Sequence, residues 1–160
     1  MDKLLEKYLK NNNIGFVKYE HRAVFTVSES KELKKSIPGM HCKCLFLKDD
    51  AEQFYLIGMP AEKRLDIKNL IKEFGVRKLH FASAEELWSK LKLKPGSVSI
   101  FGIVNNSHKN VFFILDKEVW NAGAAGFHPN INTSTIVLKH EDLERYYDSV
   151  KNKKRVIILW

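Results

Sequence analysis

His41-Cys42-Lys43-Cys44-Leu45-Phe46-Leu47-Lys48, residues 41–48, is the stretch on which the reading of the fold turns. Apolar and aromatic side chains run through it, and Asp49-Asp50 closes it with a turn signal, a pattern that predicts a strand. Side chains alternate across a strand. His41, Lys43, Leu45 and Leu47 therefore share one face, and Cys42, Cys44, Phe46 and Lys48 share the other. Lys43 stands mid-strand in a row of leucines. A lysine in such a place either gives its ammonium a partner or packs its stem while the charge reaches water.

Outward from this strand, Gln53 to Ile57 reads as a second strand, and Lys48-Asp49-Asp50-Ala51-Glu52 reads as the hairpin loop between the two. Leu4, Leu5, Tyr8 and Leu9 recur at helical spacing behind Asp2, an N-cap residue, and Asn11-Asn12-Asn13 ends that helix. Ile14 to Glu20 reads as a strand. Thr26-Val27-Ser28-Glu29 matches a capping box and opens a short helix that stops before Pro38-Gly39. Asp66 caps a helix with Ile67, Leu70, Ile71 and Phe74 on its apolar face, and Gly75 stops it. Lys78 to Phe81 is a short strand. Ser83-Ala84-Glu85-Glu86 is a second capping box, ahead of a helix carrying Leu87, Trp88 and Leu91.

Pro95-Gly96 then makes a turn. Ser97 to Val104 and Val111 to Leu115 read as strands around the polar loop 105–110, residues 121–132 as a glycine-bearing loop, and Thr133 to Leu138 as a strand. Glu141 to Tyr147 reads as a helix and Val156 to Leu159 as a closing strand. Hairpins mixed with helices predict an α+β fold, one domain over residues 1–160, with a mixed β-sheet of about seven strands surrounded by helices.

At 160 residues, with 44% hydrophobic and 29% charged side chains, the chain can bury a core without a disulfide framework. No apolar run is long enough to span a bilayer, and the first residues start on an amphipathic helix rather than a signal peptide, which predicts a cytoplasmic protein with no membrane partner. Its two cysteines, Cys42 and Cys44, lie two apart on one strand face, where a mutual disulfide would strain the backbone. His41 points away from them and no second cysteine pair completes a tetrahedral shell, so neither metal nor cofactor is expected. Basic residues outnumber acidic ones by 27 to 19, giving a net charge of +8. That excess suits a polyanionic partner or a solvated lysine-rich face. The lysines cluster at Lys31/Lys34/Lys35, Lys90/Lys92/Lys94 and Lys151/Lys153/Lys154 with Arg155.

No phosphate-binding glycine loop or nucleophile elbow is present. Two segments carry other chemistry. In Lys94-Pro95-Gly96-Ser97-Val98-Ser99-Ile100-Phe101-Gly102, glycines permit close backbone approach, and free N–H groups there would bind a carbonyl or phosphate oxygen. The alternative is a plain turn with a tight packing site. In Phe127-His128-Pro129-Asn130-Ile131-Asn132-Thr133, a histidine in a Gly/Pro/Asn-rich loop suits ligand contact as well as it suits a loop hydrogen bond.

Together these pieces resemble the YbaK/ProX family of aminoacyl-tRNA deacylases, also found as the editing insertion of bacterial prolyl-tRNA synthetases. The likeness runs through Ala23-Val24-Phe25-Thr26-Val27, Ile37-Pro38-Gly39-Met40-His41-Cys42-Lys43, Arg64-Leu65-Asp66, Phe81-Ala82-Ser83, Pro95-Gly96-Ser97-Val98, and Phe127-His128-Pro129 with Asn132-Thr133. The branch it is most similar to is the free-standing prolyl-tRNA editing proteins, which remove alanine from mischarged tRNA-Pro. The resemblance implies a functional Lys43, a substrate loop with Gly96, Ser97 and Gly102, and a pocket histidine at His128. It also implies a substrate pocket drawing on Phe25, Val27, Met40, Phe101 and Asn132. The partners it implies are the acceptor end of tRNA-Pro, held by Lys90, Lys92 and Lys94 or by Lys151, Lys153 and Lys154, and prolyl-tRNA synthetase. Cys44 departs from the asparagine common in the family, and Ile100 from a proline, so pocket shape is less fixed by the likeness than the reaction class. The competing expectations are a non-catalytic tRNA- or synthetase-associated module and a deacylase preferring Cys- or Ser-tRNA.

Overall fold

The computed structural model describes residues 1–23 and 27–159, and of residues 27 and 28 the backbone alone. The elements run α1 (Lys3–Asn11), β1 (Val17–Glu20), α2 (Val27–Ser36), β2 (Met40–Asp49), β3 (Phe54–Pro60), α3 (Ile67–Phe74), β4 (Leu79–Phe81) and α4 (Ala84–Leu91). A 3-10 helix (Ile100–Asn105) follows, then β5 (Val111–Asp116), α5 (Lys117–Asn121), β6 (Ala124–Phe127), β7 (Ser134–Lys139), α6 (His140–Ser149) and β8 (Lys154–Ile157). The fold is α+β with a mixed sheet, as expected, and the sheet has eight strands in the order β1-β7-β6-β2-β3-β5-β8, with β4 added alongside β2.

The helices form where their caps predict. Asp2 accepts from the Leu4 N–H and Asp66 from the Asn69 N–H. Ser83 and Glu86 close a full capping box. Gly75 ends α3 in the left-handed conformation, at φ 66°. The capping box expected at Thr26 lies outside the described residues.

Strand β2 organises the sheet. It pairs antiparallel with β3 from Cys42↔Pro60 to Lys48↔Phe54. Its other edge pairs with β6 at Met40 and His41, in parallel, and with β4 at Leu47 to Asp49. The sheet separates two cores. Phe46, Leu56, Phe113, Phe127, Ile136 and Tyr146 pack on the face covered by α1, α4, α6 and the 3-10 helix. Leu47, Tyr55, Ile57, Met59 and Phe112 pack on the face covered by Leu70 of α3. The alternation read from residues 41–48 is therefore real, with Leu45 and Leu47 on one face and Cys42, Cys44 and Phe46 on the other.

Three expectations fail locally. Residues 97–104 are not a strand: Ser99 caps a 3-10 turn by accepting from the Phe101 N–H, and Ile100, Phe101, Gly102 and Ile103 are all buried. A short run that is apolar on every side fits either a buried strand or a buried turn. The expected loop at 121–132 contains β6, whose small Ala124, Ala125 and Gly126 give little β-propensity signal. The closing strand starts at Lys154, two residues before its apolar run. The short α5, capped by the buried Asp116, was not anticipated.

Gly58 faces Cys44 across the β2–β3 ladder. A Cβ there would stand 2.8 Å from Ile100 Cγ2 and 2.9 Å from Leu115 Cδ2, both side chains fully buried. Gly58→Ala is expected to cost about 1–3 kcal/mol through overpacking, read as a lowered midpoint in urea or thermal unfolding. An unchanged midpoint would show that this layer repacks freely.

Candidate active site

Between the stretches where β6 and β4 pair with it, one edge of β2 is uncovered. The register shows which groups face the opening. The Ala61 N–H donates to the His41 carbonyl, and the Asp49 N–H donates to the Gln53 carbonyl. Odd-numbered residues of β2 are thus the hydrogen-bonded partners of β3. Even-numbered residues turn their N–H and C=O to the other edge, where the Phe46 carbonyl accepts from the Ala82 N–H. The N–H and C=O of Cys44 face the gap, with no hydrogen bond to the described residues.

A cavity of about 220 Å³ opens at this gap, lined by Cys42, Lys43, Cys44, Gly96, Val98, Phe127 and His128. Three segments far apart in sequence meet here: the Lys43 strand, the Gly96 turn, and the end of β6 with His128. Lys43 belongs to the face opposite the cysteines, yet all three border one cavity because no neighbouring strand covers this edge.

The Lys43 side chain is half-buried, and its ammonium forms no ion pair or hydrogen bond with the described residues. Desolvation, and secondarily the charge of Lys34, lower its pKa below the usual lysine value. The thiols beside it are inert. Burial drives Cys42 far up, and burial pushes Cys44 up to about 12, so neither supplies a thiolate near neutral pH.

Lys94-Pro95-Gly96-Ser97 is a turn closed by the Ser97 N–H on the Lys94 carbonyl, with Gly96 at φ 89°. Proline then glycine at the central positions is what a type II turn requires. The Ser97 N–H is thereby engaged, as are the Gly102 N–H on the Ser99 carbonyl and the Phe101 N–H on Ser99 Oγ. The N–H groups of Gly96 and Val98 make no hydrogen bond to the described residues. They and the Cys44 N–H are the main-chain donors left to a ligand.

His128 Nδ1 lies 3.1 Å from the Ser134 carbonyl, a contact only an N–H can make. In the neutral ring Nε2 therefore carries the lone pair. Burial is the main cause that lowers the His128 pKa, and neighbouring His21 adds to it. His21 is the site residue that sequence reading missed. Its ring lies 6.3 Å from that of His128, Nδ1 donates to the Arg22 carbonyl at 2.8 Å, and Nε2 is 2.9 Å from Thr135 Oγ1. Only the pairing of β1 with β7 brings these distant residues together. Phe127 and Val98 also went unnoticed as lining residues, although both flank segments singled out in the sequence.

Other expected site residues lie further off. Gly102 is buried against Leu93, whose Cδ1 would be 2.6 Å from an added Cβ. Phe101 is fully buried against Phe127 and Tyr146. Met40 lines a neighbouring cleft with Lys34, His41, Glu62, Lys63 and Glu118, crossed by the pairs Lys34–Glu62 and Lys63–Glu118. Asn132 is half-buried in the bend before β7. Phe25 and the Val27 side chain lie outside the described residues. Among the described residues no three His, Cys, Asp or Glu side chains gather as a metal site, and no helix is long and apolar enough to cross a membrane.

The two lysine clusters differ. Lys92 lies over the Trp88 ring at 5.7 Å, and Lys94 begins the Gly96 turn. Lys154 is spent on structure, donating to the Tyr147 and Val150 carbonyls at 2.7 and 2.8 Å, at the end of α6. Lys153 lies over Phe112, in the core on the face opposite Cys42 and Cys44. Lys151 is exposed.

Residues 21–146 match the family model of the aminoacyl-tRNA editing domain. The chain is 34% identical over 147 residues to the prolyl-tRNA editing protein ProX of Acetoanaerobium sticklandii, covering 91% of this chain and 90% of that protein. It is 29% identical over 152 residues to prolyl-tRNA synthetase associated domain-containing protein 1 of Danio rerio, covering 94% and 83%. Similar solved structures include the hypothetical protein APE2540, with TM-score 0.77, 17% identity and coverage of 98% and 99%. Another is a protein proposed as a trans-editing enzyme for prolyl tRNA synthetase, with TM-score 0.74, 16% identity and coverage of 99% and 98%. The chain belongs to the aminoacyl-tRNA editing family. Editing of this kind hydrolyses the ester between amino acid and tRNA, and the chain is accordingly an aminoacyl-tRNA deacylase.

The lowered His128 pKa has a consequence for stability. Above pH 6.5, the ordinary histidine value, His128 is neutral folded or unfolded. Below it, the unfolded ring takes up a proton that the folded ring resists, so stability falls as pH drops. His128→Gln is expected to flatten this acid limb below pH 6.5 in urea unfolding. Identical slopes in the two proteins would remove His128 as its source.

Proposed function

We propose that this chain edits in trans, hydrolysing mischarged tRNA-Pro with Ala-tRNA-Pro as the preferred substrate, and that the cavity at the open edge of β2 is where it does so. The observation that carries the reading is the meeting of Lys43, Gly96 and His128, from three separate segments, around one small cavity with unengaged main-chain donors. A tRNA-binding module without turnover has no use for that convergence. The name of the relative ProX supplies the tRNA-Pro part of the reading.

In the reaction, water attacks the ester carbonyl and the carbonyl oxygen becomes an oxyanion. The bond to the ribose oxygen then breaks, that oxygen takes a proton, and the free amino acid leaves. An aminoacyl ester is already activated, so the protein has to position water and stabilise developing charge. The N–H groups of Gly96, Val98 and Cys44 are the candidate donors to the oxyanion. Lys43, desolvated and unpaired, holds the carbonyl oxygen or the terminal phosphate, and its charge acts strongly in that setting. His128 Nε2 accepts a hydrogen bond from the attacking water or the substrate's ammonium. The adjacent ribose hydroxyl helps activate water, so no dedicated protein base is required.

Selection is by size. Cys42, Cys44, Val98 and Phe127 make an apolar wall around about 220 Å³, and a wall of this kind excludes the larger cognate amino acid, a second sieve. The wall offers little to hydrogen-bond a serine hydroxyl. Lysines supply the sequence-independent, salt-sensitive hold on the RNA backbone.

Lys43→Ala is expected to lower kcat for Ala-tRNA-Pro by about 100-fold or more, the scale of losing one oxyanion contact. Its unfolding midpoint should hold or rise, because a half-buried unpaired charge is removed. Near-normal turnover by the folded variant would sink the assignment. Neutralising Lys92 and Lys94 is expected to raise KM for all aminoacyl-tRNAs alike and to leave the alanine-over-proline ratio of kcat/KM unchanged. KM values that do not move at low or high salt would end their role in holding tRNA.

A further inference from the structure

Trp88 is 51% exposed on α4, next in sequence to the buried Leu87. The helix has a clear orientation. Leu87 and Leu91 enter the core. Glu86 pairs with Lys48 at 2.7 Å, and Lys90 lies over Phe54 at 5.2 Å. Lys48 and Phe54 adjoin the β2–β3 hairpin, so one flank of α4 faces that end of the sheet. At about 100° per residue, Trp88 falls on the opposite flank, away from that hairpin, and Lys92 is the left-handed C-cap that ends the helix. Lys92 Nζ is 5.7 Å from the Trp88 ring. Gly96 at the cavity is four positions after Lys92, which limits their Cα separation to about 14 Å. Lys94 and Pro95 between them are exposed.

Resting on the reading just given, we propose that Trp88 is a stacking platform for an unpaired base of the substrate RNA's 3′ single strand, with Lys92 and Lys94 holding the adjoining phosphates. The occupant follows from the chemistry. An aromatic ring beside cations is how proteins hold single-stranded nucleic acid, because every base has a π-face and every linkage a negative charge. A substrate whose ester sits at Gly96 must bring its last unpaired nucleotides past this flank. A protein partner would gain the ring but would meet lysines rather than a neutral rim.

The test is a double-mutant cycle on the full chain. Ala-tRNA-Pro is prepared intact and with an abasic nucleotide at each unpaired position before the terminal adenosine, in turn. Trp88→Ala and Trp88→Leu are each expected to raise KM for the intact substrate about tenfold, the effect falling on KM rather than kcat, while Trp88→Phe keeps most of the affinity. At one position the abasic substrate is expected to cost the parent protein a similar factor and to cost Trp88→Leu nothing further. A KM within about twofold of the parent for both non-aromatic variants, beyond the span expected for a lost stacking contact, would overturn the platform. So would losses that multiply at every position. A parent protein inactive on intact Ala-tRNA-Pro would overturn the proposed substrate instead, and the two failures are told apart by that control.

Discussion

Strand β2 cannot be paired along both of its edges. β3 takes one edge in full, while β6 and β4 take only the two ends of the other. The residues between them, around Cys44, keep main-chain donors and acceptors that the sheet does not use. Unpaired backbone groups in a protein interior are costly, and a sheet normally closes such a gap or hides it under a side chain. Here the gap is the cavity. The Gly96 turn and the end of β6 are brought up to its rim, and the meeting of Lys43, Gly96 and His128 follows from that fork.

The charge at Lys43 contrasts with three other partly buried lysines. Lys63 reaches Asp116 and Glu118, each at 2.7 Å, and Lys48 reaches Glu86 at 2.7 Å. Lys154 is satisfied by helix-end carbonyls. Those ammonium groups have their hydrogen bonds satisfied within the fold, so nothing about them invites a ligand. Lys43 loses hydration without gaining a carboxylate from the described residues, and Lys34 adds repulsion. A fold selected for stability alone would place an apolar or paired side chain there. An unsatisfied cation beside unsatisfied N–H groups makes a local field suited to an anion or to a carbonyl becoming one.

Much of this was legible in the sequence. Asp2, Asp66, Ser83 and Gly75 marked helix ends because capping is local chemistry. The alternation in residues 41–48 separated the two cores, because a strand with two buried faces writes each in every second residue. Pro95-Gly96 marked its turn for the same local reason. What was not legible was long-range. Residues 97–104 bury every apolar side chain in a 3-10 turn, and only the packing of Gly102 on Leu93 and the Ser99 cap decide turn over strand. Strand β6 has small residues at three of its four positions, and its pairing with β2 and β7 is tertiary. His21 gains its place beside His128 through the β1–β7 pairing, and a lone histidine in a loop carries no sign of that.

The site divides its work between groups that substitution can change and groups that it cannot. The proposed contacts to the ester, which every aminoacyl-tRNA shares, are main-chain N–H groups fixed by the β2 register and by the Gly96 turn. The proposed contacts to the amino-acid side chain are Cys42, Cys44, Val98 and Phe127. Replacing Cys44 alters the volume and polarity of the wall while its N–H remains in place, since the β2–β3 ladder sets the direction of that N–H. Amino-acid preference on this scaffold can therefore shift without loss of hydrolysis. Gly58 sets the limit, because the packing of Ile100 and Leu115 over it bounds how far the layer behind Cys44 can move. Preference is then tuned chiefly by side chains at the mouth and wall of the cavity, with the floor held rigid by the sheet.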